Sequence, residues 1–174
     1  NYRIAVIAGD GIGKEVVPAG IEVLNLAAEQ GGFRCEFTQV PWGCDYYLEH
    51  GRMMDEDGVD RLMKFDAIYL GAIGDPRVAD HISARELILP LRQRLGQWVN
   101  LRPMRLLPGI SSPLGGRSAK DIDMICVREN SEGEYCGIGG RLHRGTPQEV
   151  AEQTGVFTRH GIERIARYAF KLAA

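Results

Sequence analysis

No apolar run in this chain approaches the roughly 20 residues needed to cross a bilayer, which argues against a spanning helix. Neither charge sign dominates. Lys and Arg number 21 against 23 Asp and Glu, and a formal net charge of −2 leaves no footprint for nucleic acid or an anionic membrane. Cysteine is scarce: Cys35, Cys44, Cys126 and Cys136 include no C-x-x-C pair, and no histidine pair has zinc-site spacing, so a structural metal site is not expected. These cysteines read as reduced thiols, mostly buried in strands. Asn1-Tyr2-Arg3 runs straight into a strand-like stretch with no signal-peptide anatomy, so a cytoplasmic location is expected. Repeats and low-complexity segments are also missing. What remains, with 44% apolar and 25% charged residues over 174 positions, is a globular chain of one ordinary domain or two small ones.

What is present is a repeating grammar. Residues 3–8 (RIAVIA) form a short apolar run that ends in Gly9-Asp10-Gly11-Ile12-Gly13, a buried strand feeding a glycine turn. The pattern then predicts a helix over 14–30 closed by Gly31-Gly32, a strand over 33–40 and short helices over 44–50 and 55–64. A third strand over 67–70 runs into Gly71-Ala72-Ile73-Gly74-Asp75-Pro76. Strand, glycine loop and helix in succession are the pattern of an α/β protein with a largely parallel sheet. Further on, a helix over 84–94 carries Pro90, which should bend or shorten it. The remainder reads as strands over 97–106, 122–127 (buried) and 149–158 (exposed), and a Gly/Ser/Pro-rich loop over 108–120. Last comes a helix capped by Thr158, with Ile162, Ile165, Ala166, Ala169 and Leu172 at helical spacing. That helix has no stop signal, which suggests a cut rather than a natural end.

The first glycine loop is neither of two familiar phosphate-binding motifs. A dinucleotide fingerprint would need glycine where Lys14 stands, and a P-loop fails at Ala8 and Glu15. Loops at the carboxyl ends of parallel strands are nevertheless where ligands bind, and this chain offers two. The other candidate chemistry is a set of arginines. Arg92, Arg102 and Arg128 each lie beside a predicted helix or strand, and Tyr135 follows the last. A guanidinium is a planar, permanent charge that matches a carboxylate bidentately. Converging forks suit a small molecule with two or more carboxylates, and a tyrosine could supply it with a proton.

In order, the motifs are GDGIGKEV (9–16), GAIGDP (71–76), LR (91–92), VNLRP (99–103), DIDMICVRENSEGEY (121–135) and FTRHGIERIARYAF (157–170). The series resembles the isocitrate/isopropylmalate dehydrogenase family, the β-decarboxylating dehydrogenases of 2-hydroxy acids. DHIS (80–83), WVNLRPMRLLPG (98–109) and ENSEGEY (129–135) look most like its tartrate/D-malate branch. The resemblance covers essentially the whole chain but only the N-terminal half of such enzymes. It implies an isopropylmalate-dehydrogenase-like α/β fold. Residues 1–98 would be part of a first domain completed by a missing C-terminal half, and 99–174 would begin a second, dimer-forming domain.

The resemblance also implies the chemistry. The hydroxyl carbon of a malate-like diacid gives a hydride to NAD, and Mg²⁺ or Mn²⁺ then assists loss of CO₂ as a Lewis acid; K⁺ is a possible further ion. Arg92, Arg102 and Arg128 would grip carboxylates, and Tyr135 would take part in proton transfer. Ile12, Gly71, Ala72 and Ile73 would contact the cofactor. The family's metal-binding aspartates, catalytic lysine and main adenosine loop lie in its second half, so no metal ligand is expected in these residues and the 174 residues alone are expected to be inactive. A homodimer with no nucleic-acid or membrane partner is expected for the parent.

Several residues stay open at this level. Asn100 could contact substrate or hold the local backbone, and His81 and Ser83 could do either in their loop. Glu129 and Glu132 read as solvated loop charges and receive no role. Ala84-Arg85-Glu86 departs from the branch's usual Leu-Trp-Gly-like stretch, where the group on the substrate's third carbon is sensed. Glu86 would repel a third carboxylate and be expensive beside an isopropyl group, but could accept from a hydroxyl. Alternatives to a tartrate or D-malate enzyme are a 3-isopropylmalate dehydrogenase and a noncatalytic dicarboxylate-binding paralogue.

Overall fold

A computed structural model describes all 174 residues and divides them into two compact units, Asn1–Leu95 and Gly96–Ala174. The first unit starts with β1 (Tyr2–Gly9), whose Ile4, Ala5, Val6 and Ile7 are all buried. Successive strand residues point to opposite faces, so the continuous apolar run covers both. Ile4 and Val6 pack with Val17 of α1 (Gly13–Gly31), while Ala5 and Ile7 join a larger cluster with Trp42, Met53 and Leu87. Gly32, in the left-handed region at φ 68°, ends α1.

β1 pairs in parallel with β2 (Cys35–Gln39) on one side and with β3 (Ala67–Ala72) on the other. The order β2-β1-β3 means that the chain leaves β1 to one side and returns to its other side. Short helices α2 (Cys44–His50) and α3 (Gly58–Leu62) make the return. β3 runs two residues further than its apolar pattern predicts, through Gly71 and Ala72. Only glycine allows the approach, because a Cβ on Gly71 would stand 2.3 Å from the Ala8 carbonyl oxygen.

The helix predicted over 84–94 is interrupted. α4 (Asp80–Ser83) leads into a π turn (Ala84–Ile88), which passes into α5 (Leu89–Arg94) with Pro90 at its start. The cause is the proline: it has no N–H to donate back, and its ring crowds the carbonyl four residues earlier. A wide turn there relieves both.

The second unit is antiparallel. β4 (Val99–Arg105) pairs with β5 (Asp123–Glu129), and β6 (Gly133–Leu142) pairs with β7 (Val150–Val156). β6 has no counterpart in the sequence reading. Its four glycines and its charges erase the alternation by which a strand is recognised. β5 was expected to be buried, yet Met124 and Ile125 are 47% and 48% exposed, because within these residues the helical cover over β5 is α6 (Arg159–Ala173) alone. Thr158 caps α6 as expected, its Oγ1 accepting from the Gly161 N–H at 3.0 Å.

The face that α6 turns inward differs from its apolar stripe. Arg164 lies 5.2 Å over the Trp98 ring and Tyr168 meets Trp98 edge-on, while Ile162 and Leu172 are exposed. The cysteine expectation also needs correction. Only Cys44 is buried, and it opens α2 rather than lying in a strand; Cys126 is exposed. None of the helices is long and apolar enough to cross a membrane.

Candidate active site

In the first unit the two glycine loops meet. Gly9 pairs with Ala72, and the Asp10 N–H donates to the Ala72 carbonyl at 2.6 Å. The Asp10 side chain, 2% exposed, then holds both neighbours. One oxygen accepts the Gly74 N–H at 2.9 Å and the other the Cys44 N–H at 2.8 Å. Burial first, and then the Asp10 carboxylate beside it, pushes the Cys44 thiol up to about 12, so it is no nucleophile at neutral pH.

The loops stand at the carboxyl ends of β1 and β3, where the strand order reverses. Such a switch point is the ligand crevice of an open parallel sheet. Ile12, Ala72 and Ile73 are brought together there with Gly71. Ile12 is 67% exposed, an apolar side chain presented outward, and a Cβ on Gly11 or Gly74 would meet nothing within 4 Å. Backbone open on one side and an exposed apolar contact fit a flat, phosphate-bearing cofactor. Outside these loops, Lys14, Asp45, Arg77 and Asp75 form a chain of exposed ion pairs at 2.5, 2.6 and 2.8 Å. Arg77 holds the Asp75 carboxyl down to about 2.

In the second unit the register of β4 on β5 decides the geometry. Asn100 stands opposite Arg128, and Arg102 opposite Cys126. Opposed residues share a face, as do residues two apart along a strand. Asn100, Arg102 and Arg128 therefore point to one side of the ribbon. Asn100 accepts from Arg102 Nε at 3.2 Å, and its amide nitrogen lies 3.4 Å from the Asn130 side-chain oxygen. Asn130, 5% exposed, in turn donates to the Gln97 carbonyl at 2.9 Å. Asn100 thus does hold its surroundings, but what it orients is an arginine.

Arg128 donates to the Tyr135 hydroxyl, and its guanidinium lies 5.0 Å from the centre of the tyrosine ring. A cavity of about 220 Å³ opens beside them, walled also by Phe157 and Ile162. Arg92 lies in the last turn of α5, in the first unit. His81 is exposed, whereas Ser83 donates to the Asp80 carbonyl at 3.0 Å and serves its own helix.

Glu129 and Glu132 are not the solvated charges that the sequence suggests. Glu129 accepts from the Glu132 N–H at 2.7 Å, the Ser131 N–H at 2.9 Å, the Ser131 hydroxyl at 2.7 Å and Arg164 at 3.0 Å. Glu132 accepts from the N–H and hydroxyl of Thr158 at 2.8 and 2.6 Å. Burial alone would raise the Glu129 carboxyl, but these donors outweigh it and bring it from an ordinary 4.5 down to about 2.

A carboxyl depressed in the folded state stabilises the fold above its unfolded pKa and loses that contribution as pH falls through the folded one. The stability gap between the protein and its Glu129→Gln variant should therefore be full above pH 4.5 and close toward about pH 2. Urea unfolding across that window reads it, and a gap that ignores pH contradicts the assignment.

Comparison with known proteins gives this arrangement a context. The sequence profile described as isocitrate/isopropylmalate dehydrogenase matches residues 3–174. The chain is 55% identical over 175 residues to D-malate dehydrogenase [decarboxylating] of Escherichia coli (strain K12), covering 99% of this chain and 48% of that protein. It is 52% identical to a probable tartrate dehydrogenase/decarboxylase of Bacillus subtilis (strain 168), covering 99% of this chain and 49% of that protein. Among solved structures, isocitrate dehydrogenase from Methylococcus capsulatus superposes with a TM-score of 0.80 at 29% identity, over 99% of this chain and 48% of that one. The chain thus spans about half the length of the relatives it matches. With a profile match that runs through both glycine loops and all three arginines, the chain belongs to the isocitrate/isopropylmalate dehydrogenase family.

Proposed function

We propose that the protein carrying this chain is an NAD-dependent dehydrogenase that oxidatively decarboxylates a malate-like 2-hydroxy diacid, tartrate or D-malate, and that it acts as a cytoplasmic homodimer. In that reading the second unit begins the dimer-forming domain, and the first is completed by residues beyond these 174. The observation that carries the reading is the common face of Asn100, Arg102 and Arg128, with Tyr135 bonded to Arg128 at its edge. Relatives of known name that are half identical to this chain act on D-malate and tartrate, which supports the substrate class.

In this scheme Arg102 and Arg128 each take a substrate carboxylate. Two cations on one face favour a diacid over a monoacid. Asn100 presets the Arg102 fork, which lowers the ordering cost on binding. The family resemblance alone adds Arg92, in the last turn of α5 within the first unit, as a further carboxylate contact. Tyr135 accepts from Arg128, and a hydroxyl that accepts from a guanidinium has its own hydrogen to give. That hydrogen protonates the carbon left when CO₂ departs.

A nicotinamide cofactor would supply a hydride acceptor for the hydroxyl carbon. Ile12 and the backbone of Gly71, Ala72 and Ile73 would hold it at the switch point, where Asp10 keeps the two loops together. For a divalent metal the residues present do not suffice: no three His, Cys, Asp or Glu side chains converge to hold one.

The test is turnover by the full-length protein with NAD and Mn²⁺, on D-malate, tartrate and 3-isopropylmalate, followed as NADH and CO₂ in equal amounts. NADH without CO₂, or no turnover of any diacid, ends the proposal. Within the same panel, Glu86 is the specificity residue to examine, exposed in the π turn that precedes Arg92. Exchanging Glu86→Leu is expected to move the kcat/KM ratio toward 3-isopropylmalate by about 10- to 100-fold, the size of a hydrophobic pocket's discrimination. A ratio that stays put removes Glu86 from substrate choice.

A further inference from the structure

We propose that Glu129, working with Arg164, is a positioning residue for Tyr135: the turn that it clamps sets where the tyrosine hydroxyl stands relative to Arg128. The inference rests on the role given to Tyr135 under the proposed function.

Arg128 and Tyr135 are placed by different means. The backbone of Arg128 belongs to an unbroken antiparallel ladder, with seven consecutive pairs from Val99↔Glu129 to Arg105↔Asp123. Tyr135 lies outside the regular pairs of its own ladder. On β6 the pairing runs from Gly133↔Val156 directly to Ile138↔Thr154, so four residues of β6 face one of β7. Tyr135 lies inside that irregular stretch, where bulges re-aim side chains and the ladder no longer dictates position. Its hydroxyl accepts from Arg128, and Gln153 and the Thr154 carbonyl hold its neighbours Glu134 and Cys136 at 2.9 and 3.1 Å, while the turn between the two strands joins its backbone to that of Arg128.

That turn is tied down beyond what a chain reversal requires. Tight turns are usually closed by Gly, Asn, Asp or Ser acting on their own backbone. Here the Glu129 carboxylate accepts from two backbone N–H groups and a hydroxyl of the turn, and from Arg164 of α6. Arg164 also donates to the Ser131 hydroxyl at 2.7 Å. The Glu129 and Arg164 side chains are 21% and 25% exposed, so each ion has given up much of its water. Such a pair fixes a geometry as well as contributing stability. Gly133 then enters β6 at φ 74°, a left-handed conformation in which the neighbouring Phe157 ring already crowds the space a side chain would take. From Arg128 to the start of β6 the chain therefore has one path, and Tyr135 follows two residues later.

The experiment uses the full-length enzyme with NAD and its diacid, comparing Glu129→Gln in the wild-type and Tyr135→Phe backgrounds. Glu129→Gln should lower kcat by about 10- to 100-fold while KM for the diacid moves less than about threefold, because Arg128 stays on its ladder. In the Tyr135→Phe background the same change should lower kcat no further, since groups that act as one unit are not additive. A kcat within twofold of wild type, or a loss that adds fully to that of Tyr135→Phe, overturns the proposal. Arg164→Met and Ser131→Ala, run through the same cycle, decide it if Glu129→Gln does not fold.

A readout independent of turnover is the ¹⁹F resonance of 3-fluorotyrosine placed at position 135. It should move or broaden in Glu129→Gln, and an unmoved resonance overturns the positioning role. A moved resonance in a protein that turns over no diacid upholds the clamp and instead sinks the function proposed above.

Discussion

Replacing Arg128 by glutamine is expected to lower kcat/KM for the diacid by on the order of a thousandfold, about 4 kcal/mol of lost transition-state stabilisation. The size follows from two losses at one residue. The first is the charged fork on the face that Arg128 shares with Asn100 and Arg102, which leaves a substrate carboxylate desolvated and unpaired. The second is the donor to the Tyr135 hydroxyl and the cation 5.0 Å from its ring, so the proton donor loses the partner that holds it. Arg128→Lys should recover only part of the activity. An ammonium keeps the charge, but it cannot span a carboxylate and a phenol with fixed forks. Because the first loss concerns carboxylate recognition, a monoacid analogue should suffer less than the diacid. Steady-state kinetics on both substrates read this directly, and a variant that stays folded within threefold of wild type on the diacid would remove Arg128 from the site.

The second large effect is on stability, at Asp10. Its carboxylate is 2% exposed and accepts the N–H groups of Cys44 and Gly74 at 2.8 and 2.9 Å. Asp10→Ala removes the acceptor of both donors and strands the buried Cys44 N–H away from water, at about 1–3 kcal/mol for each lost bond. A loss of about 3–4 kcal/mol is a large fraction of the whole stability of an ordinary domain. Asp10→Asn keeps one acceptor oxygen but turns an NH₂ toward the other donor, so it should lose about half as much. Thermal or urea unfolding of the two variants beside the wild type gives the ranking. NAD affinity of the Asp10→Asn variant should fall as well, because Asp10 is what fastens the loop carrying Ile12 to the loop carrying Ala72 and Ile73. An alanine variant as stable as wild type would show that these bonds are replaced by water at no cost.

Much of the framework was legible before any coordinates. The run of residues 3–8 announced β1, Gly32 ended α1 as a left-handed residue, and Thr158 capped α6, each through interactions within a few residues of itself. The arginines and the tyrosine were legible as residue types in a familiar order. Less visible were features that depend on a distant partner. β6 is written in glycines and charges, so no periodicity marks it, and only its pairing with β7 makes it a strand. Glu129 and Glu132 look like solvent-facing charges in a polar stretch, until α6 brings Arg164 and Thr158 to them from about 26 to 35 residues away. A signal for Glu129 did exist. A glutamate two residues before a serine, followed by a left-handed glycine, can fold back on its own turn.

Short-range physics along the chain was therefore enough to specify the α/β class and most strand and helix starts, and it left the arginines and the tyrosine visible as residue types. Turn residues, caps and apolar runs act over a few positions and need nothing else. Assembly in three dimensions was needed for the rest: the register that puts Asn100, Arg102 and Arg128 on one face, the crossing of the chain that brings Gly9 against Ala72, and the clamp that leads to Tyr135. A one-residue slip between β4 and β5 would turn Arg128 to the opposite face with every local preference unchanged. Register is the sum of many long-range pairings, and no window of sequence contains it.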